Sequence, residues 1–131
     1  MNINSEDEHL NLTGTVFTEA YIKNMLDDAQ LINYNLMKRG RDGLQTLEMQ
    51  IIDQNAHKSI IVLHDQGSCV EKRVVRIGVI RSRFDRNSEI QRLYWEEGLS
   101  QAFLADIFGL AQSSISLIAK EVKKQKNTSA K

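Results

Sequence analysis

Residues 101–120 are constrained almost position by position. With Gln101 as the first position, Ala105 is the fifth and Gly109 the ninth. Leu104, Phe108, Leu110, Ile115 and Ile118 fill the fourth, eighth, tenth, fifteenth and eighteenth. This spacing suits two short helices that cross steeply over a tight turn. A small residue at Ala105 lets the helices approach closely. Gly109 sits at the turn, where a positive φ is cheap only for glycine. The five apolar residues supply the small core between the helices, and Ile115 also suits the close contact just after the turn.

Such a pair is a helix-turn-helix, a motif whose second helix enters the DNA major groove. The segment LYWEEGLSQAFLADIFGLAQSSIS resembles the DNA-binding segment of the SorC/DeoR-type sugar-responsive regulators. Those proteins carry an aromatic pair, an acidic pair, Gly-Leu-Ser-Gln, an Ala, a Leu-Gly turn and a Ser-rich recognition helix. The Gln-x-x-x-Ala-x-x-x-Gly core followed by Gln-Ser is also similar to lambda-repressor-type helix-turn-helices. The resemblance covers residues 88–124 and implies sequence-specific DNA binding. It does not reach residues 1–84. Sugar sensing is not implied, because in that family the module opens a much longer chain, whereas here it stands near the C-terminus. Two positions depart from the pattern. Ala111 stands where a capping Ser or Thr is common, and Leu117 stands where the family often has a basic residue.

The expected recognition helix presents Gln112, Ser113 and Ser116, with Leu117 beside them and Lys120 one turn further. Gln pairs bidentately with adenine, and Ser bonds bases or phosphates. Gln101, at the start of the preceding helix, is placed to hold a phosphate with help from the helix dipole. Lys123 and Lys124 extend the basic end. Phe103 and Ile107, four residues apart, are expected on a face that this motif usually exposes, where they either pack against the N-terminal domain or meet another subunit.

The rest of the chain sets this unit in context. Its 131 residues are 41% hydrophobic, enough for one compact domain or a small domain plus a DNA-binding module. Formal net charge is zero, yet the halves differ. Residues 1–66 hold five Lys/Arg and ten Asp/Glu, a net of −5, and residues 67–131 hold twelve and seven, a net of +5. The basic half is the one expected to face phosphates. No run of 18 apolar residues is present, so no membrane span is expected. The acidic start MNINSEDEHL does not read as a secretory signal. The single cysteine, Cys69, forms no internal disulfide and suits a reducing cytoplasm.

The periodicities predict an α+β chain: an N-terminal helix with a small antiparallel sheet, then a C-terminal three-helix helix-turn-helix unit. Residues 1–12 read as a disordered acidic leader. Thr18 caps a helix running to about Arg39, because Ile22, Met25, Leu26, Ala29, Ile32 and Leu36 recur at steps of three and four. Gly40 and Gly43 bracket a turn. Three strands follow, over 46–53, 59–64 and, with a helix as the alternative, 70–84. Residues 13–84 then form a dimerisation or signal-input domain. Residues 85–124 form the DNA-binding domain, opened by Ser88 and Gln91 as a capping box, and 125–131 a basic tail. Leu93 with Tyr94 or Trp95 braces the helix pair.

No catalytic or metal constellation stands out. His64, Asp65 and Cys69 are close in sequence but lack the further ligands a zinc site needs and the partners a thiolate nucleophile needs. The expectation is a cytoplasmic, prokaryotic, non-enzymatic transcriptional regulator without a cofactor. It reads double-stranded DNA as a homodimer, with an effector or protein partner possible on the N-terminal domain. The alternatives are a protein-docking adaptor that uses Phe103, Ile107 and Leu117, and a DNA-processing accessory factor of a plasmid, phage or mobile element.

Overall fold

The computed structural model describes residues 15–39 and 44–129. The acidic leader and the turn at Gly40–Gly43 lie outside the described residues. The chain divides into two compact units, Met1–Arg76 and Ile77–Lys131. The second thus begins at Ile77 rather than at Asp85.

The first unit opens with α1 (Glu19–Leu26), followed by β1 (Gln30–Arg39), β2 (Leu44–Ile52), β3 (Lys58–Asp65) and β4 (Val70–Val75). The strands form one antiparallel sheet in the order β1-β2-β3-β4. This overturns the expected layout of a long helix beside a three-stranded sheet. The Thr18 hydroxyl caps α1 by accepting the Tyr21 N–H. The helix ends after eight residues at Asp27, whose φ is 53°, and the segment expected to continue it is β1.

The reason lies in the side chains of β1. Tyr34 and Leu36 alternate with Asn33 and Asn35, which is strand spacing. Tyr34 and Leu36 pack against the cluster of Phe17, Ile22, Leu26, Leu47, Met49, Ile61 and Leu63. Asn33 and Asn35 donate from the opposite face to Gln50 (2.9 Å) and Glu48 (3.1 Å). A bulge between Leu31 and Asn33 shifts the phase, so the apolar residues on either side of it mimic a helical repeat.

The sheet is therefore two-sided. One face carries the core under α1. On the other, Glu48 is only 1% exposed and Thr46 and Gln50 are also buried, with the buried Ile60 and Val62 opposite Gln50 and Glu48. Buried polar groups are costly unless bonded. Here the Thr46 hydroxyl and His64 Nδ1 lie 2.8 Å apart, and no buried side-chain nitrogen or oxygen among the described residues lacks a partner.

The turns rest on carboxylates. Asp53 accepts the N–H groups of Asn55 and His57, and Asp65 accepts that of Gly67. These bonds, the one from His57 foremost, hold the Asp53 carboxyl below its ordinary range.

The last expected strand is cut short before the second unit begins. β4 stops at Val75, and residues 76–81 have no regular structure. Then come α2 (Arg83–Trp95), α3 (Gln101–Phe108) and α4 (Gln112–Ser129). Ser82 caps α2 by accepting the Asp85 N–H, so Ser88 and Gln91 lie inside a helix they were expected to open. The chain before α2 is fastened by Glu89, which accepts the Gly78 N–H at 2.6 Å and pairs with Arg92. The Arg92 hydrogen bond, aided by that N–H and opposed by burial, holds the Glu89 carboxyl below its ordinary range. The contribution is therefore present at neutral pH and is lost as the pH falls through the lowered folded value.

Candidate nucleic-acid interface

α3 starts at Ser100, whose hydroxyl accepts the Phe103 N–H at 3.2 Å. It ends at Gly109, which adopts the left-handed conformation with φ 66° and ψ 35°. The Ala105 carbonyl accepts the N–H of Gly109 and, at 3.1 Å, that of Leu110. That second bond closes the turn as in a Schellman motif. Between Gln101–Phe108 and Gln112–Glu121 the chain bends by 108°, within the range of roughly 90–120° that the helix-turn-helix requires. A methyl group built at Gly109 would meet nothing within 4 Å, so the demand for glycine comes from φ alone. Gly109→Ala is expected to cost about 1–2 kcal/mol and Gly109→Asn less, because asparagine tolerates this conformation. Denaturant melts followed through Trp95 would measure both.

The core of the three helices contains Ile90, Leu93, Leu99, Leu104, Ile115, Ile118 and Ala119, all buried. Ala105, Phe108 and Leu110 are half-buried. Phe103, on the face this motif usually exposes, is 0% exposed. Ile107 is half-buried.

Two side chains of α2 hold α4 through hydrogen bonds: Trp95, expected from the sequence as a brace of the helix pair, and Gln91, whose role was not anticipated. Gln91 Nε2 donates to the Ile118 carbonyl (3.2 Å), and Trp95 Nε1 donates to the Ala119 carbonyl (3.0 Å). Their four-residue spacing puts both on one face of α2, the only sequence signal that pointed to Gln91. Tyr94 does not share this role. Its ring meets that of Trp95 edge-on, with centroids 5.0 Å apart.

Along α4, Ile115, Ile118 and Ala119 face inward. Gln112, Ser113, Leu117 and Lys120 are exposed, and Ser116 is half-buried beside them. Gln101 is half-buried in the first turn of α3. The candidate contact residues of α4 are thus open to solvent, with Ser116 partly covered. Ala111 has no capping side chain, and its carbonyl accepts the N–H groups of Ser114 and Ile115. The α4 backbone continues helical to Ser129, through the stretch read as a tail. The side chains of Lys123 and Lys124 lie outside the described residues.

The charge is distributed unevenly within the second unit. Residues 77–121 carry five Lys/Arg and six Asp/Glu, and the remaining lysines are Lys123, Lys124, Lys126 and Lys131. Arg92 is bound to Glu89 and Glu97. The basic character of the unit is therefore concentrated at the end of α4 and just beyond it.

The other chemically suggestive residues serve the first unit. His64 is bonded to Thr46, Asp65 holds a turn, and Cys69 is exposed with a free thiol. No group of three metal-ligating side chains is present among the described residues. No single helix among them is long and apolar enough to cross a membrane. Comparison with family models, with curated proteins and with solved structures found no match.

Proposed function

We propose that this chain is a sequence-specific DNA-binding transcriptional regulator of a prokaryotic cytoplasm, reading the major groove as a homodimer. The observation that carries this reading is the α3–α4 pair: a 108° bend over a left-handed Gly109, with Gln112, Ser113 and Lys120 exposed and Ser116 half-buried on the second helix. A helix presented in this way inserts its N-terminal residues among base edges. One such unit covers only one half-site, and two copies related by a two-fold axis read two. The first unit, with its own core, is the proposed dimerisation or effector unit. The docking-adaptor alternative is less favoured, because Phe103, its main anchor, is buried.

The test is selection of bound fragments from random duplex DNA, followed by titration of Gln112→Ala against the selected site and against a scrambled one. The selected sites should be palindromic, with half-sites about one helical turn, roughly 34–36 Å, or a multiple of it apart. Gln112→Ala should weaken binding to the selected site by roughly 1–3 kcal/mol and leave scrambled DNA unchanged, since nonspecific binding rests on phosphate contacts. Equal losses on both would remove Gln112 from the base-reading residues. No enrichment at all would reject the regulator reading.

A further inference from the structure

Leu117 is the anomaly of the recognition helix. It is 65% exposed in the middle of a helical face that is otherwise polar. The inward positions of that helix are already occupied by Ile115, Ile118 and Ala119, all buried. The side chain therefore has no place in the core and projects with Ser113, Ser116 and Lys120. Within a major groove the one apolar group on any base edge is the C5-methyl of thymine.

No arginine occurs anywhere in residues 101–121, so of the side chains that pair with guanine only Lys120 stands on the described face, one turn beyond Ser116. Gln112, at the helix start, has adenine as its matching base. At the start of the helix Gln112 favours an A·T pair, and the exposed Leu117 suits the thymine methyl of another.

Resting on the DNA-binding reading above, we infer that Leu117 is a specificity-determining residue that packs against a thymine methyl. Its position sets the register. Gln112 and Leu117 are five residues apart, about 7.5 Å along a helix rising 1.5 Å per residue. A helix lying along the groove therefore places the two contacts about two base-pair steps of 3.4 Å apart. Each half-site then contains an adenine read by Gln112 and, about two pairs away, a thymine whose methyl meets Leu117.

The experiment uses the full chain and its selected duplex. Each thymine is replaced singly by deoxyuridine, which removes the methyl and leaves every hydrogen-bonding group in place. Binding of the wild-type chain should fall about fourfold at one thymine per half-site, the size expected for one buried methyl-sized group. In Leu117→Ala the same replacement should be silent, so the thymine-to-uracil ratio drops to about one. Because Leu117 is mostly exposed, the variant should melt like the wild type, with Trp95 fluorescence as the check. Uracil tolerated at every thymine would overturn the inference, as would an unchanged ratio in Leu117→Ala. If Leu117→Ala weakens self-association in sedimentation and the ratio stays fixed, Leu117 is a protein contact and the inference is equally overturned. These results would leave a regulator with a selected site standing, whereas a random pool that yields no enriched sequence rejects both.

Discussion

Raising the salt from about 50 to about 200 mM should weaken DNA binding by roughly 10³–10⁵-fold, the loss typical of a protein that makes 6–10 phosphate contacts. A dimer reaches that number with three to five contacts from each copy. The candidates are Lys120, which is exposed, and the lysines at positions 123, 124 and 126. Residues 77–121 carry more acidic than basic side chains, so this C-terminal stretch has to supply most of the attraction. Neutralising one contacting lysine in each copy of the dimer should flatten the log–log slope by about two units, roughly 0.9 for each lost contact. It should also weaken selected and scrambled DNA alike. Titration by fluorescence anisotropy over a salt series measures both. A binding constant indifferent to salt would contradict a phosphate-facing α4.

Phe103→Ala should have the largest effect on stability. Phe103 is 0% exposed, and truncating a buried phenylalanine typically costs about 3–5 kcal/mol through lost burial and the cavity left behind. That is a large share of the roughly 5–15 kcal/mol that holds a native domain together. The readout is unusually local. Trp95 is the only tryptophan in the chain and donates to the Ala119 carbonyl of α4, so its fluorescence reports on the helical unit. Its unfolding midpoint in denaturant should shift sharply downward. The strand signal in circular dichroism reports on the sheet. A variant with an unchanged midpoint and impaired binding to a protein partner would restore Phe103 as a docking residue.

The α3–α4 pair was legible in the sequence because a steep crossing leaves few solutions. The turn needs a residue that accepts φ near 66°, and Gly109 is that residue. The inward positions need apolar side chains, and Leu104, Ile115 and Ile118 are buried there. Other elements were hidden for specific reasons. β1 was masked because Ile32 sits beside a bulge, and the displaced phase reproduced the three- and four-residue steps of a helix. Only tertiary pairing with β2 and the Asn33 and Asn35 contacts reveals the strand. The start of α2 was masked because two capping patterns compete. Ser82 with Asp85 and Ser88 with Gln91 both fit, and local sequence does not rank them. The surroundings of Phe103 were not legible because eight residues make only about two turns of helix, too few to fix a buried face by periodicity.

The candidate contact residues of α4 were legible as types, and the exposure of Gln112, Ser113, Leu117 and Lys120 follows from the buried positions between them. Trp95 was legible as a brace, but the hydrogen bonds by which Gln91 and Trp95 hold α4 were not, because a backbone carbonyl 27 or 24 residues away leaves no trace in local composition.

The strand order β1-β2-β3-β4 bears on how the chain is born. Every strand pairs with its neighbour in sequence, so closing each hairpin needs only a short loop and little entropy. Topologies built from such local pairings fold quickly for their class. Synthesis proceeds at about 5–20 residues per second, and Ile77–Lys131 therefore takes roughly 3–11 s to follow the last residue of the sheet. Hairpins form in microseconds. The hairpins of the sheet therefore have time to pair before α4 leaves the ribosome.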